Sequence, residues 1–287
     1  IAVADYTNTF QTNALTIAPN GSQKIGGIAA GQSLSTEGLS VTFVYVDDTE
    51  GWKNVQDATS NVVGNANLNA TGGTITTSGN FKIHTFTSPG NFVVSSASQT
   101  AAENIVGYQV VAGGAGGGFG TTGGGGAGGF REGRNAPIDN YTASPLVANA
   151  PTNAVTVTAQ GYPITVGGGG PGASNDSSKG TNGGNSTFDS IVAAGGGGGG
   201  SDGSGNGVAG GSGGGGANGG TGANGNTPPV SPSQGNPGAS ASASSPSGSG
   251  GGGAGASGGA NSGPNGGPGG AGVASSITGS SVARAGG

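Results

Sequence analysis

Catalysis needs groups that can act on one another, and this sequence supplies few. His84 is the sole histidine, inside Phe81-Lys82-Ile83-His84-Thr85-Phe86-Thr87, an alternating run that predicts a strand. A triad or histidine-based metal site needs partners around it, so a lone strand histidine reads as structural or surface-exposed. Asp47, Asp48 and Glu50 form the one acidic cluster. Carboxylates of this kind could hold Ca²⁺ through oxygen, but the EF-hand spacing is absent and a solvated turn is expected. Glycoside hydrolysis needs two carboxyl groups flanking a bond, and among the 12 acidic residues no pair is marked out. G-x-G-x-x-G recurs so often that it carries no information, because a dinucleotide site also needs a following helix. Asn20-Gly21-Ser22, Asn140-Tyr141-Thr142 and Asn185-Ser186-Thr187 fit the glycosylation sequon, which acts only in a eukaryotic secretory setting. Cysteine is absent, which excludes disulfides and thiolate metal sites. No enzyme, no cofactor and no metal are expected.

The elements that would have to position any site divide sharply in composition. Of 72 glycines, 12 lie in residues 1–108 and the other 60 in residues 109–287. From Gln109 onward one residue in three is glycine, against a usual share of about 7%. Charged residues are only 7%, where a soluble domain carries about 25%, and none lies between Asp202 and Arg284. A net charge of −5 leaves no basic surface with which to hold nucleic acid. No stretch approaches the roughly 18 apolar residues of a membrane span. Ile1 opens into polar sequence without a signal-peptide pattern, and the chain is expected to be a processed product or a piece of a longer one.

Residues 1–80 read as a β-rich module. Val41-Thr42-Phe43-Val44-Tyr45-Val46 is dense in β-branched and aromatic residues, as a strand should be, and Ala14-Leu15-Thr16-Ile17 is a shorter candidate. Residues 81–108 predict a β-hairpin and a connecting strand: the His84 run, then Ser88-Pro89-Gly90, then Asn91-Phe92-Val93-Val94-Ser95. No segment shows a 3.6-residue apolar period, so essentially no α-helix is expected.

In residues 109–287 short apolar stretches run straight into glycine: Val110-Val111-Ala112-Gly113-Gly114, Ile164-Thr165-Val166-Gly167-Gly168, and Ile191-Val192-Ala193-Ala194-Gly195-Gly196. Collagen is excluded, since runs of four to six glycines break its every-third-residue register. Two readings stand. A disordered Gly/Ser linker would bury too little apolar surface to offset its ordering entropy. A bundle of extended polyglycine II helices, three residues per turn and without internal hydrogen bonds, would instead bond strand to strand. Backbone pairs worth about 1 kcal/mol each would then replace side-chain burial. The strands that introduce the tracts, and the scattered Phe119, Phe130, Tyr141, Tyr162 and Phe188, favour order. The expected fold is mostly β plus irregular, a small β-module followed by a polyglycine II bundle or sandwich.

The series Ile83-His84-Thr85-Phe86-Thr87-Ser88-Pro89-Gly90-Asn91-Phe92, Tyr108-Gln109-Val110-Val111-Ala112-Gly113-Gly114, Gly125-Gly126-Ala127-Gly128-Gly129-Phe130-Arg131 and Ile164-Thr165-Val166-Gly167-Gly168-Gly169-Gly170 resembles the glycine-rich domain of tailed-phage tail proteins, as do Gly184-Asn185-Ser186-Thr187-Phe188 and Ile191-Val192-Ala193-Ala194-Gly195-Gly196. Upstream, Leu34-Ser35-Thr36-Glu37-Gly38-Leu39-Ser40-Val41-Thr42 with Gly51-Trp52 resembles a β-module of marine-phage fibre proteins. The resemblance implies a virion appendage protein, a tail fibre or its tip, located on the virion or outside the cell. It also implies a homo-oligomer, trimers being the family habit, or assembly with other virion proteins. Distal adhesins of T-even-like phages carry a polyglycine II sandwich whose loops contact the receptor, and those are similar in composition and theme. Such families continue past Gly272-Val273-Ala274-Ser275-Ser276, so a longer parent chain is expected.

Loops between glycine tracts are therefore the candidate receptor-binding residues: Phe130, Arg131, Arg134, Asp139 and Tyr141 in one group, Asn175, Asp176 and Lys179 in another. A host saccharide or outer-membrane protein would be the partner, with neither nucleic acid nor membrane insertion. The alternatives are a self-assembling extracellular filament without receptor binding, and an ice-binding polyglycine bundle that lacks the cysteines and regular tripeptides of known examples.

Overall fold

The computed structural model describes residues 1–58, 68–98, 100–244 and 247–287. The chain forms two units, Ile1–Ala66 and Asn67–Gly287. Among the described residues there is no α-helix, only the short 3₁₀ turns Ala101–Asn104 and Asp202–Ser204.

The first unit holds β1 (Ala2–Ala4), β2 (Leu15–Ile17), β3 (Gln32–Leu34), β4 (Ser40–Asp47) and β5 (Gly51–Ala58). β4 is central in an antiparallel sheet ordered β1-β4-β5, and β2 pairs with β3. Alternation along β4 buries Val41 and Phe43, which join Ile25 and Leu34 in a small core. Asp5, at 1% exposure, fixes the chain entry by accepting the amides of Thr9, Phe10 and Gly38 at 2.9–3.1 Å. The acidic cluster is a turn. Asp47 Oδ1 accepts the amides of Thr49 and Glu50, and Glu50 pairs with Lys53 at 2.9 Å.

The second unit begins with β6 (Asn69–Thr71), β7 (Thr74–Ser78), β8 (Phe81–Thr85) and β9 (Gly90–Ser96). The strands on either side of Ser88-Pro89-Gly90 form as expected, but they do not pair with each other. β8 pairs with β7 around Gly79 at φ +56°, whereas β9 pairs with β6. β9 carries Phe92 and Val94 into the aromatic core and so is a central strand. β7, Thr-Ile-Thr-Thr-Ser, lacks the apolar alternation that would have announced it. His84 is structural: its Nδ1 lies 2.8 Å from the Gly72 carbonyl oxygen, and its ring meets Phe92 edge-on at 5.0 Å.

There follow β10 (Ile105–Val106), β11 (Tyr108–Val111), β12 (Phe130–Arg134), β13 (Val147–Asn149), β14 (Val155–Thr156), β15 (Gly161–Thr165), β16 (Ser186–Phe188), β17 (Ile191–Ala193), β18 (Val273–Ser275) and β19 (Val282–Arg284). A five-stranded sheet runs β17-β16-β15-β9-β6, and a second runs β11-β12-β13 with its last pair parallel. Between them Phe92, Tyr108, Tyr162 and Phe188 pack with centroids 6.0–6.3 Å apart, largely in the edge-to-face geometry aromatic quadrupoles favour.

These strands lead directly into or out of glycine tracts, and there side-chain packing ends. Residues 212–217, Ser-Gly-Gly-Gly-Gly-Ala, are all buried. Their N–H groups donate in three directions in strict rotation: Ser212 and Gly215 to Ala127 and Gly124, Gly213 and Gly216 to Asn236 and Ala239, Gly214 and Ala217 to Val208 and Gly205. Their carbonyls accept on the same period from Gly197 and Gly200, Gly252 and Ser249, and Ala223 and Gly220. All 12 bonds measure 2.7–3.0 Å and reach six surrounding segments. A direction that repeats every third residue is the signature of the threefold extended helix. This is a polyglycine II lattice, and every buried main-chain group of its central tract is satisfied, as burial demands. At Gly214 it leaves no room for a side chain: a Cβ there would lie 2.0 Å from the Gly198 carbonyl oxygen.

Candidate functional site

The tracts turn back on themselves at one end of the lattice, and there the polar turns gather. Phe119 N–H donates to Ser201 Oγ at 2.7 Å, and Asp202 N–H to the Phe119 carbonyl at 3.3 Å. Gly203 N–H reaches the Asp176 carbonyl at 3.0 Å, and Asn218 Nδ2 the Asp202 carbonyl at 3.3 Å. Further along, Gly219 lies against Ala243, and Ser242 N–H donates to Asn261 Oδ1 at 2.9 Å. Turns around residues 119–122, 174–179, 201–204, 217–220, 241–244 and 261–265 thus form one connected loop end. Phe119 is 45% exposed, and Asn175, Asp176, Lys179, Asp202 and Asn218 are exposed beside it.

The turns are held by local bonds, which leave their outer atoms available. Asn175 Oδ1 accepts the amides of Ser177 and Ser178 at 3.0 Å, an Asx turn. Asn218 stands at φ +43°, a conformation that asparagine tolerates better than most residues. Asp176 Oδ1 and the Asp202 side chain flank Gly120.

The other candidate group lies at the opposite, strand-bearing end. Phe130 and Arg131 are not loop residues. Phe130 is 1% exposed, and packs with Ala254 and Val273, and Arg131 is 7% exposed within β12. The physical reason is that Phe130 closes the lattice where glycine gives way to side chains. Arg134, Asp139 and Tyr141 are half-buried and turned inward. Arg134 Nε donates to Asn149 Oδ1 at 3.1 Å, and Asp139 Oδ2 accepts the Asn135 amide at 2.8 Å. Burial raises the Asp139 carboxyl above its usual range, although the Asn135 amide and Arg134 oppose the shift. Burial also pushes up the Tyr141 phenol, helped by Glu132 and Asp139. Between them Glu132, 2% exposed, accepts the Ser144 amide at 2.8 Å and the Ser275 hydroxyl. This network joins the 135–149 loop to β18. Asp202, Asn218 and the exposed role of Phe119 were missed by sequence reasoning, although Asn218-Gly219 is a turn signal.

A family model for a glycine-rich domain matches residues 87–287. This chain belongs to the glycine-rich domain family. In this glycine-rich domain the match starts just before β9 and takes in the aromatic core, the lattice and the loop end. No curated protein and no solved structure matches the chain. Among the described residues no group of three or more His, Cys, Asp or Glu could hold a metal ion, and no helix is long and apolar enough to cross a membrane.

Proposed function

We propose that this glycine-rich domain protein is a non-enzymatic structural and adhesive component of a phage tail fibre or similar virion appendage, and that its loop end attaches to the host surface. The observation that carries the reading is the loop end itself: an exposed Phe119 among Asn175, Asp176, Lys179, Asp202 and Asn218, mounted on a scaffold cross-linked by main-chain hydrogen bonds. Rigid elements presenting aromatic and polar loops suit saccharide or protein recognition. The resemblance of the motif series to tail proteins supports the same setting. On this reading the protein works on the virion or outside the cell, as a homo-oligomer or joined to other virion proteins, and touches neither nucleic acid nor the membrane interior. The partner is a surface saccharide or an outer-membrane protein.

The test is binding of labelled protein to a panel of bacterial cells and their purified surface polysaccharides. Phe119→Ser and Lys179→Ala, each at an exposed position, are expected to weaken binding by about tenfold, the loss typical of a contact worth 1.4 kcal/mol. Thermal stability is expected to stay unchanged. Fibre formation by the purified protein with no binding to any cell would favour the filament reading instead.

A further inference from the structure

The run Thr85-Phe86-Thr87-Ser88-Pro89-Gly90-Asn91 takes no part in the loop end, yet it lines a cleft of its own. This cleft of about 440 Å³ lies between Gly72-Gly73, which link β6 to β7, and the segment that links β8 to β9. Its size falls in the range of small-ligand sites, about 300–1,000 Å³. Phe86 is half-buried: it packs against the aromatic core and also lines the cleft. His84 Nδ1, 2.8 Å from the Gly72 carbonyl oxygen, fixes the facing link. A cleft held open in this way spares a ligand the cost of ordering it.

The glycines beside the ring have different causes. Gly72 at φ +108° and Gly73 at φ +63° stand where side chains are strained, and a Cβ would lie 2.0 Å from the Asn91 carbonyl oxygen and 2.6 Å from that of Thr85. The turn requires both. Gly90 is different: it lies in β9 outside the left-handed region, and a Cβ there would rest 3.5 Å from Phe86 Cδ1 and Cε1, an ordinary van der Waals contact. A methyl group would fit, restrict the unfolded chain and cover ring carbon, each of which stabilises. Folding therefore does not require glycine at 90, and its effect is to leave that part of the ring uncovered.

The rim is polar but uncharged. Thr74, Thr85, Thr87 and Ser88 bring hydroxyls and Asn91 an amide. All five are exposed, and among the described residues none of these side-chain groups bonds to the protein. No charged side chain lines the cleft. A charged ligand would lose hydration here without gaining a counter-charge, and a purely apolar one would cover the hydroxyls without partnering them. A sugar ring offers both surfaces, C–H groups on one face to lie against an aromatic ring and hydroxyls at its edge that donate and accept. We infer that the Phe86 cleft is a binding site for an uncharged saccharide unit, stacked on the ring and hydrogen-bonded by the rim. It shares no residue with the loop end and does not rest on the loop end binding a host.

The test uses the isotope-labelled 287-residue protein and the methyl glycosides of glucose, galactose and mannose, with glucuronate as the charged comparison. Saturable NMR shifts are expected at the Gly72, Gly73 and Gly90 amides with at least one neutral glycoside and not with glucuronate. A Kd on the order of 1 mM suits a ligand of about a dozen non-hydrogen atoms. Gly90→Ala, which covers the ring without a clash, is expected to weaken binding by about tenfold or more, with a thermal midpoint no lower than the parent's. Phe86→Leu keeps an apolar group against the core but removes the flat ring, and is expected to abolish the shifts. Phe119→Ser is expected to leave them intact, so this site and the loop end fail separately. The inference is overturned if none of the three glycosides gives saturable shifts at these amides, if glucuronate binds equally well, or if Gly90→Ala or Phe86→Leu binds like the parent.

Discussion

The side-chain carbonyl of Gln234 accepts the backbone N–H of Ala194 at 2.8 Å, just where β17 passes into the longest glycine run. Gln234 is fully buried, and its Nε2 donates to the Pro228 carbonyl at 2.8 Å. One side chain therefore ties the proline-rich loop to the lattice. Gln234→Ala leaves the Ala194 amide buried without a partner. The expected cost is about 1–3 kcal/mol, read from the denaturant midpoint, and Gln234→Glu is expected to be no better at neutral pH, because it buries a carboxylate against the Pro228 carbonyl oxygen.

Glycine positions should sort by what a methyl group would meet. Gly214→Ala places Cβ 2.0 Å from the Gly198 carbonyl oxygen, with segments on every side, and is expected to cost about 3 kcal/mol or more. Gly168→Ala meets nothing within 4 Å. Restricting the unfolded chain there should leave stability unchanged or raise it by up to about 1 kcal/mol. Thermal unfolding of the two variants side by side checks the contrast.

Tyr108 gives the protein an alkaline limit. Its hydroxyl donates to the Asn153 carbonyl at 2.8 Å, and burial raises the phenol from 10.0 to about 12, with Arg131 opposing. Above pH 10.0 the unfolded chain loses this proton first, so the contribution is complete below pH 10.0 and is lost as pH rises through about 12. Tyr108→Phe is expected to cost about 1 kcal/mol at neutral pH. It should also flatten the fall in denaturant midpoint across that alkaline window.

Asp139 acts with the same sign at acid pH. Burial raises its carboxyl above the ordinary 3.8, against the opposing Asn135 amide and Arg134. Its stabilising contribution is complete below pH 3.8 and is lost as pH rises through the raised folded value. Asp139→Asn keeps an acceptor for the Asn135 amide but cannot ionise. The variant should match the parent at low pH and become the more stable protein once the native carboxyl has ionised, measured by thermal midpoints across the acid range.

The residues of β4, β9, β11 and β17 declare themselves as strands by branched and aromatic side chains, and the Asp47 turn by its composition. More importantly, a region one third glycine with few apolar side chains could become solid only through main-chain bonds, and that much followed from the sequence. Partner choice did not. Glycine tracts carry no side-chain address, so nothing in residues 212–217 says that they bond to residues 124–127 or 249–252. Phe119 and Phe130 show the consequence. Both are lone phenylalanines beside glycine runs, yet one is 45% exposed at the loop end and the other 1% exposed in the core. A backbone hydrogen bond is the same whichever residue makes it, so only the closed three-dimensional lattice decides which turns face outward and which side chains are buried.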